Sequence, residues 1–257
     1  MDNKNIYTHF KNDEVFVKQI LNYKERVINH YSVILTNFLN LYQIRMIEMI
    51  IGKKEGLMVL TNGGIKNSEY QRVIICKDTE VIEEKDFNFV KVKINYPHKF
   101  YKIEHKDVLG ALMSLGIKRE LFGDILIEND SCYFVCDSKI YGYLLNNFDK
   151  VGKVKIKIEE VNEVLIKQQE YHVKTFFIPS FRLDLVISTL FSISRKKAKD
   201  YIIGNLVKVN YKEVEQTDFL CHNNDIVSLR RFGRVEINDL QRKTKSNQYV
   251  IEGKFYK

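Results

Sequence analysis

Basic side chains cluster in a short stretch of the last third of the chain. Arg195, Lys196 and Lys199 stand at positions i, i+1 and i+4, so a helix would present them on one side. An arginine binds two phosphate oxygens at once because its donors form a planar fork. More cations flank the stretch, at Arg182, Arg230, Arg231 and Arg234. The pattern predicts a surface for a polyanion, although such charges also occur on ordinary solvated surfaces.

Motifs of common enzymes are missing from the sequence. Gly110 and Gly116 are separated by five residues, whereas a phosphate-binding loop needs four and then Lys-Ser or Lys-Thr. Ser194 and Lys197 match S-x-x-K by letter, but Ser194 is better explained as a helix cap. The six histidines show no metal-ligand spacing. We therefore predict no enzymatic activity, no cofactor, no metal and no small-molecule substrate.

The positive charge is concentrated near the C-terminus. The formal net charge is +8, and residues 174–257 contribute +7 of it, with 16 Lys or Arg against 9 Asp or Glu. A local positive excess favours nucleic acid, because each neutralised phosphate releases condensed counterions. The four cysteines form no C-x-x-C pair, and no apolar run is long enough for a signal core or a membrane span. These features predict buried thiols and a cytoplasmic protein.

Hydrophobic spacing divides the rest of an α+β chain into two further modules. Residues 1–80 are predicted to hold a helical pair and a hairpin, with Asn37 capping the second helix and Gly52 ending it. Residues 81–165 have the order β-α-β-β-α-β of ferredoxin-like domains, with a closing strand at 154–158 and a turn at Glu128-Asn129-Asp130. RNA-recognition modules share that order, but their aromatic stacking motif is absent here. The fold prediction alone therefore does not carry a function.

Residues 175–257 are predicted to place two helices on a small sheet. Apolar residues recur with helical spacing from Leu183 to Leu190, Ser194 can cap the next helix, and Gly204 allows the left-handed residue that ends it. Fixed points recur over about 50 residues, at Arg182-Leu183-Asp184, Ser194-Arg195-x-x-Ala198, Gly204, Val207-x-Val209-Asn210 and Asp225-Ile226.

This pattern resembles the S4 RNA-binding domain. The resemblance implies that RNA contacts Arg182, Ser194, Arg195, Lys196, Lys199 and Asn205. The basic residues that close the unit are predicted to add to this surface, at Arg230, Arg231 and Arg234. Asp184 is expected to be a local structural partner. Tyr211 departs from the pattern, because S4 domains commonly have glycine there, in an Asn-Gly turn.

The upstream chain resembles the YlmH-like S4 proteins of Gram-positive bacteria. The resemblance rests on the run His105–Arg119, on Gly123-Asp124-Ile125, on Gly63-Gly64 and on Glu69-x-x-Arg72. It implies a factor of ribosome-associated quality control that binds rRNA of the large ribosomal subunit, with peptidyl-tRNA, beside the protein that adds C-terminal tails.

Two interpretations of the run His105–Arg119 stay open. Asp107 can cap a helix, Gly116 can end it, and Gly123-Asp124 can turn the chain into a strand. Alternatively, His105, Lys106, Lys118 and Arg119 form a second RNA surface at the two ends of that helix.

Two rival functions also stay open. One is a protein-interaction adaptor, for example in cell division. The other is an RNA-modifying enzyme targeted by its S4 module, since Arg182-Leu183-Asp184 resembles the catalytic motif of pseudouridine synthases, but Phe181 replaces the usual preceding glycine.

Overall fold

A computed structural model describes residues 13–52, 56–128, 131–168 and 171–256, and shows a mixed α/β protein with six α-helices in these ranges. Its contacts divide the chain into two compact units, Met1–Lys167 and Gln168–Lys257. The first unit therefore contains both of the first two predicted modules. Asn129 and Asp130 of the predicted turn and the first twelve residues of the predicted N-terminal module lie outside the described residues.

The first unit begins with two helices packed on an antiparallel sheet. Its early elements are α1 (Glu14–His30), β1 (Ile34–Leu35), β2 (Leu39–Asn40), α2 (Leu41–Ile51), β3 (Leu57–Asn62), β4 (Ile65–Lys66) and β5 (Tyr70–Lys77). Strand β5 pairs with β3 along its length and with β1 and β2 through shorter stretches. Residues such as Ile20, Ile47 and Ile75 close a core between the helices and this sheet. The predicted helical pair and hairpin are confirmed as elements.

The second helix begins three residues later than predicted. Its N-cap is Asn40, whose side-chain oxygen accepts a hydrogen bond from the Gln43 backbone N–H at 3.0 Å. The Gln43 side chain accepts from the Asn40 N–H in return, which completes a capping box. The Asn37 cap was wrong because Asn40 offers this reciprocal pair, whereas Gly52 ends the helix as predicted.

The remainder of the first unit is a four-stranded antiparallel sheet with two helices. The elements of this region are β6 (Phe89–Asn95), α3 (His105–Ser114), β7 (Phe122–Glu128), β8 (Ser131–Asp137), α4 (Ser138–Asn147), β9 (Lys150–Val151), β10 (Val154–Lys155) and β11 (Lys157–Glu160). Strands β9 and β10 pair with each other outside the four-stranded sheet. The strand order across the sheet is β11-β6-β8-β7. Apolar residues of both helices, including Leu112 and Leu144, pack with Phe134 in the core of this sheet.

Two local predictions in this region were wrong. The closing strand predicted at 154–158 is split, because β10 turns back to pair with β9 and only β11 pairs with β6. Helix α3 begins at His105 with Glu104 as its N-cap, and Asp107 is not the cap but the third helix residue, whose carboxylate accepts a hydrogen bond from the Glu104 backbone N–H in a capping box. Gly116, with φ of 76°, follows the helix end as predicted.

The chain then returns to the N-terminal part of the first unit. Strand β12 (Leu165–Ile166) pairs in parallel with β4, and the Lys167 N–H donates to the Lys66 carbonyl at 3.0 Å. This pairing holds residues 165–167 against the early part of the chain.

The second unit is a six-stranded antiparallel sheet with two helices on one face. Its elements are β13 (Tyr171–Ile178), α5 (Leu183–Leu190), α6 (Arg195–Ile203), β14 (Val207–Val209), β15 (Lys212–Glu213), β16 (Ile226–Leu229), β17 (Gly233–Lys243) and β18 (Tyr249–Tyr256). The strand order is β13-β18-β17-β16-β14-β15. Leu183, Val186 and Ile187 of α5 are fully buried in the core, as their helical spacing predicted.

Three details of the second unit differ from the sequence analysis or settle what it left open. The left-handed residue after α6 is Asn205, with φ of 56°, because Gly204 itself has φ of −78°. Strand β13 begins in the interval between the predicted modules 81–165 and 175–257 and pairs along its whole length with β18. The β14–β15 hairpin turns at Asn210 and Tyr211, which both have positive φ, so Tyr211 adopts a conformation that favours glycine.

Candidate nucleic-acid interface

A buried carboxylate gathers three of the predicted RNA-binding cations. The Asp184 side chain is 0% exposed and lies in the first turn of α5. Arg182 Nε lies 3.2 Å from its Oδ1, Arg195 Nε lies 2.9 Å from its Oδ2, and Lys199 Nζ is 4.0 Å from the same oxygen. The Arg182 and Arg195 side chains are 38% and 51% exposed, so each arginine contacts the buried carboxylate and still presents part of its surface to solvent. Asp184 thus positions both arginines, as a structural partner.

The Asp184 carboxyl remains ionised at neutral pH. Burial raises its pKa, but hydrogen bonds from Arg182 and Arg195 and the charges of both arginines lower it further than burial raises it. The net result is a pKa below the usual range for aspartate. The carboxylate offsets about one unit of positive charge, so the surrounding surface stays basic.

The second helix begins beside this cluster. Ser194 is the N-cap of α6, and its hydroxyl oxygen accepts from the Lys197 backbone N–H at 3.2 Å, as predicted. Ala198 and Ile202 are buried, which fixes the orientation of the helix. Lys196 is exposed on its first turn. We call Arg182, Ser194, Arg195, Lys196 and Lys199 the helix-end group.

The other predicted contacts lie around a pocket at the end of the sheet. Asn205, Arg230, Arg231 and Arg234 line a pocket of about 440 Å³. Lys208, which the sequence analysis missed, lines it too, and its Nζ lies 3.4 Å from a carboxylate oxygen of Glu213. The alternation of β14, with Val207 and Val209 buried, was a signal that Lys208 faces outward. We call Asn205, Lys208, Arg230, Arg231 and Arg234 the sheet-end group.

The two groups stand at opposite ends of one helix. Arg195 begins α6 and Asn205 follows its end, and a nine-residue helix is about 13 Å long. The Arg234 guanidinium carbon lies 5.5 Å from the centroid of the Tyr256 ring, a geometry that steadies a cation over an aromatic face. The residues that were predicted to form one RNA-binding surface therefore lie in two separate groups.

The residues predicted as a second RNA surface differ in their availability. Lys118 is exposed, and Lys106 is exposed but lies 2.7 Å from a Glu104 carboxylate oxygen. The Arg119 guanidinium is stacked on Tyr70, with 3.5 Å between its carbon and the ring centroid. Desolvation lowers the pKa of His105, and nearby positive charges add to that effect, so this imidazole is neutral at pH 7.

Asp124 has a structural role close to these residues. Its carboxylate is almost fully buried and accepts from the backbone N–H of Tyr70 at 2.9 Å and of Glu69 at 3.1 Å. Lys167 Nζ lies 2.8 Å from both the Asp124 and the Glu69 carboxylates. The network joins the start of β5, strand β7 and the end of the first unit. Asp124 therefore has a structural role inside β7, because Gly123 and Asp124 lie within that strand and do not form a turn before it.

The described ranges contain neither a metal-binding cluster nor a membrane-spanning helix. Within residues 13–52, 56–128, 131–168 and 171–256, no group of three His, Cys, Asp or Glu side chains is arranged to hold a metal ion. In the same ranges, no helix combines the length and the apolar character that crossing a membrane requires.

Comparison with known proteins identifies the family. The family model described as "YlmH, N-terminal" matches residues 12–79, and the model described as "Putative RNA-binding domain in YlmH" matches residues 83–164. The chain is 29% identical over 249 residues to the "Ribosome-associated protein quality control protein P2" of Bacillus subtilis (strain 168), covering 96% of each chain. It also resembles the solved structure "Cell division protein ylmH from Streptococcus pneumoniae", with a TM-score of 0.52, 26% identity, and coverage of 58% of this chain and 91% of that one.

These matches place the chain in a class of α/β proteins that includes the domain described as "Putative RNA-binding domain in YlmH". The chain belongs to the YlmH family.

Proposed function

We propose that this protein binds RNA through its second unit and acts by binding rather than by catalysis. The single observation that carries the proposal is the helix-end group, in which a fully buried Asp184 holds two half-exposed arginines at adjacent helix starts. Guanidinium groups fixed in this way need little further ordering to bind phosphate oxygens. Phosphate contacts of this kind set the position of a protein on RNA.

The sheet-end group extends the interface. It adds three arginines and Lys208 about one helix length from the helix-end group. Both groups together span several nucleotides of one backbone. We propose that the second unit is an S4-type module, as its sequence pattern implies, and that residues 175–257 contain its RNA-binding part.

The proposed partner is rRNA of the large ribosomal subunit, bound with peptidyl-tRNA and beside a tail-adding quality-control protein in the cytoplasm. Support comes from the Bacillus subtilis relative, whose name assigns it to ribosome-associated protein quality control and whose similarity spans 96% of this chain.

The first unit is proposed to supply a second contact. Its residues 83–164 match a family model described as an RNA-binding domain, and their strand order supports a ferredoxin-like assignment for the predicted module 81–165. Among the four residues predicted as a second RNA surface, Lys106 and Lys118 are exposed cations, and His105 and Arg119 lie beside them as a polar and a stacking group. We place the second RNA surface on these four residues.

Charge reversal tests the helix-end group directly. In the variant Arg195→Glu, Lys196→Glu, Lys199→Glu, we expect RNA affinity to fall by orders of magnitude at low salt. The slope of log affinity against log salt should become shallower by about 2 to 3 units, since each phosphate contact contributes roughly 0.7 to 0.9. Filter binding to total rRNA, measured from low to high salt, gives both numbers.

A matched control changes the same charge elsewhere in the second unit. The variant Arg242→Glu, Lys243→Glu, Lys245→Glu alters exposed cations at the tip of the β17–β18 hairpin. We expect it to retain most of the affinity and an almost unchanged salt slope. Equal losses in both variants would mean that net charge, and not this arrangement, determines binding.

A protein-interaction adaptor is the second candidate, because the solved relative is titled a cell division protein. A tagged adaptor would keep its protein partners after nuclease treatment of the lysate. An RNA-binding factor on the ribosome would lose them.

A further inference from the structure

A pocket in the first unit lies beside the stacked pair of Arg119 and Tyr70. Its volume is about 450 Å³, within the range of small-molecule sites. Aromatic rings from Phe16, Tyr23 and Tyr70 line it, and its floor includes the buried Phe38. Flat aromatic walls of this kind suit a flat, stacking occupant.

The pocket also has fixed hydrogen-bonding groups. Asn40 and Gln43 line it, and the α2 capping box uses the side-chain oxygens of both. The capping box thereby holds the two amides in place, while their NH₂ groups remain donors that it does not use. Asn37 adds an exposed amide at the entrance. These groups can bond the edge of a heterocycle without further ordering.

The charge of the pocket favours a neutral occupant. Among its described lining residues, only Arg119 and Glu120 carry formal charges, and these are of opposite sign. The Arg119 guanidinium is stacked on Tyr70 and donates to the Phe122 carbonyl. A phosphate would need several free cations here, whereas an uncharged base needs rings and amide groups.

We propose that this pocket, formed by Phe16, Tyr23, Tyr70, Asn37, Asn40 and Gln43, binds one unpaired nucleobase of an RNA. The proposal rests on the RNA-binding function proposed above. Two of the lining residues, Arg119 and Glu120, belong to residues 83–164, the part that matches the family model described as a putative RNA-binding domain. This overlap supports RNA as the source of the base. Sequence recognition would enter through this base, because phosphate contacts carry no sequence information.

The chain contains no tryptophan, so an introduced one reports on the pocket without background. In the full-length variant Phe16→Trp, we expect single-stranded tetranucleotides to quench the fluorescence and reach saturation. An abasic tetranucleotide has the same phosphates but no bases, and we expect it to leave the emission unchanged. The variant Phe100→Trp is the reporter control, because Phe100 is 82% exposed and does not line the pocket.

Substitutions in the reporter background test the contacts. Tyr23→Ala should weaken the quenching titration about 5- to 150-fold, the range for loss of one base–aromatic stack. Tyr23 also packs on the core between α1 and α2, so Asn37→Ala, at an exposed position, is the variant that preserves the fold. We expect it to weaken binding about 3- to 10-fold, as for one hydrogen bond.

Two outcomes would overturn the proposal. Equal quenching by the abasic and base-bearing oligonucleotides would show that only phosphates bind near the pocket. Absence of quenching, while the same protein retains rRNA on filters, would eliminate the base pocket and leave the proposed function in place. Loss of filter retention by the unsubstituted chain would instead contradict the proposed function itself.

Discussion

Replacing Asp184 with asparagine removes one buried charge and keeps the side-chain shape. The carboxylate accepts hydrogen bonds from Arg182 at 3.2 Å and Arg195 at 2.9 Å. A hydrogen bond to a charged group contributes about 1.5 to 3 kcal/mol, but both arginines are more than one third exposed, so solvent screening reduces each contribution. We expect Asp184→Asn to lower the local free energy of opening of α5 and α6 by about 2 kcal/mol.

Hydrogen exchange measures this quantity in the full chain. A loss of about 2 kcal/mol corresponds to roughly 30-fold faster exchange of peptides that cover α5 and α6. Asp200→Asn is the control, because Asp200 is an exposed aspartate on the same helix. We expect its exchange to match that of the unsubstituted protein.

The effect should depend on pH in a defined direction. Hydrogen bonds and charges from Arg182 and Arg195 place the folded pKa of Asp184 below the ordinary value for an aspartate, so its contribution is complete above that ordinary value. It is lost as the pH falls through the folded pKa, and the difference between the two proteins should then disappear. Equal exchange of Asp184→Asn and the unsubstituted chain at pH 7 would refute the positioning role of this carboxylate.

Three further predictions concern stability and reactivity. Arg72→Met should destabilise the first unit by about 3 to 5 kcal/mol in urea unfolding, because it leaves the buried Asp137 carboxylate, 3.2 Å away, without its cation; a loss below 1 kcal/mol would contradict this. Tyr211→Gly should raise the melting temperature by a few degrees, since it relieves a positive φ of 69°, and a lower melting temperature would show that side-chain contacts of Tyr211 outweigh the strain. Burial raises the pKa of the Cys132 and Cys136 thiols to about 12, so the folded protein at pH 8 should not react with iodoacetamide at either position, and rapid labelling would show that this sheet opens.

Local signals in the sequence were sufficient for most helices and strands. The spacing of Leu183, Val186 and Ile187 and the cap at Ser194 are patterns that involve only a few neighbouring residues. The structure has the buried helix face and the helix cap that these patterns predicted. A helix boundary was predicted wrongly where a neighbouring residue makes better capping hydrogen bonds than the predicted cap. Asn40 displaced Asn37 as a cap because only Asn40 has Gln43 three residues later.

Contacts between residues far apart in the sequence could not be predicted from local patterns. Strand β13 pairs with β18, about 80 residues later in the chain, and no local pattern indicates that partner. The stacking of Arg119 on Tyr70 also joins residues from separate elements, and it places a predicted RNA contact against an aromatic ring. Lys208 could be assigned to the sheet-end group only once the strand order was known. The roles of the two cationic groups in RNA binding stay predictions.

Sedimentation of the tagged protein through a sucrose gradient of cell lysate tests the central claim most directly. The proposed function predicts that the protein migrates with the large ribosomal subunit at low salt and leaves it at high salt, because phosphate contacts weaken as salt rises. The charge-reversed variant at Arg195, Lys196 and Lys199 should remain at the top of the gradient even at low salt. Migration of the unsubstituted protein at the top under both conditions would contradict binding to the ribosome.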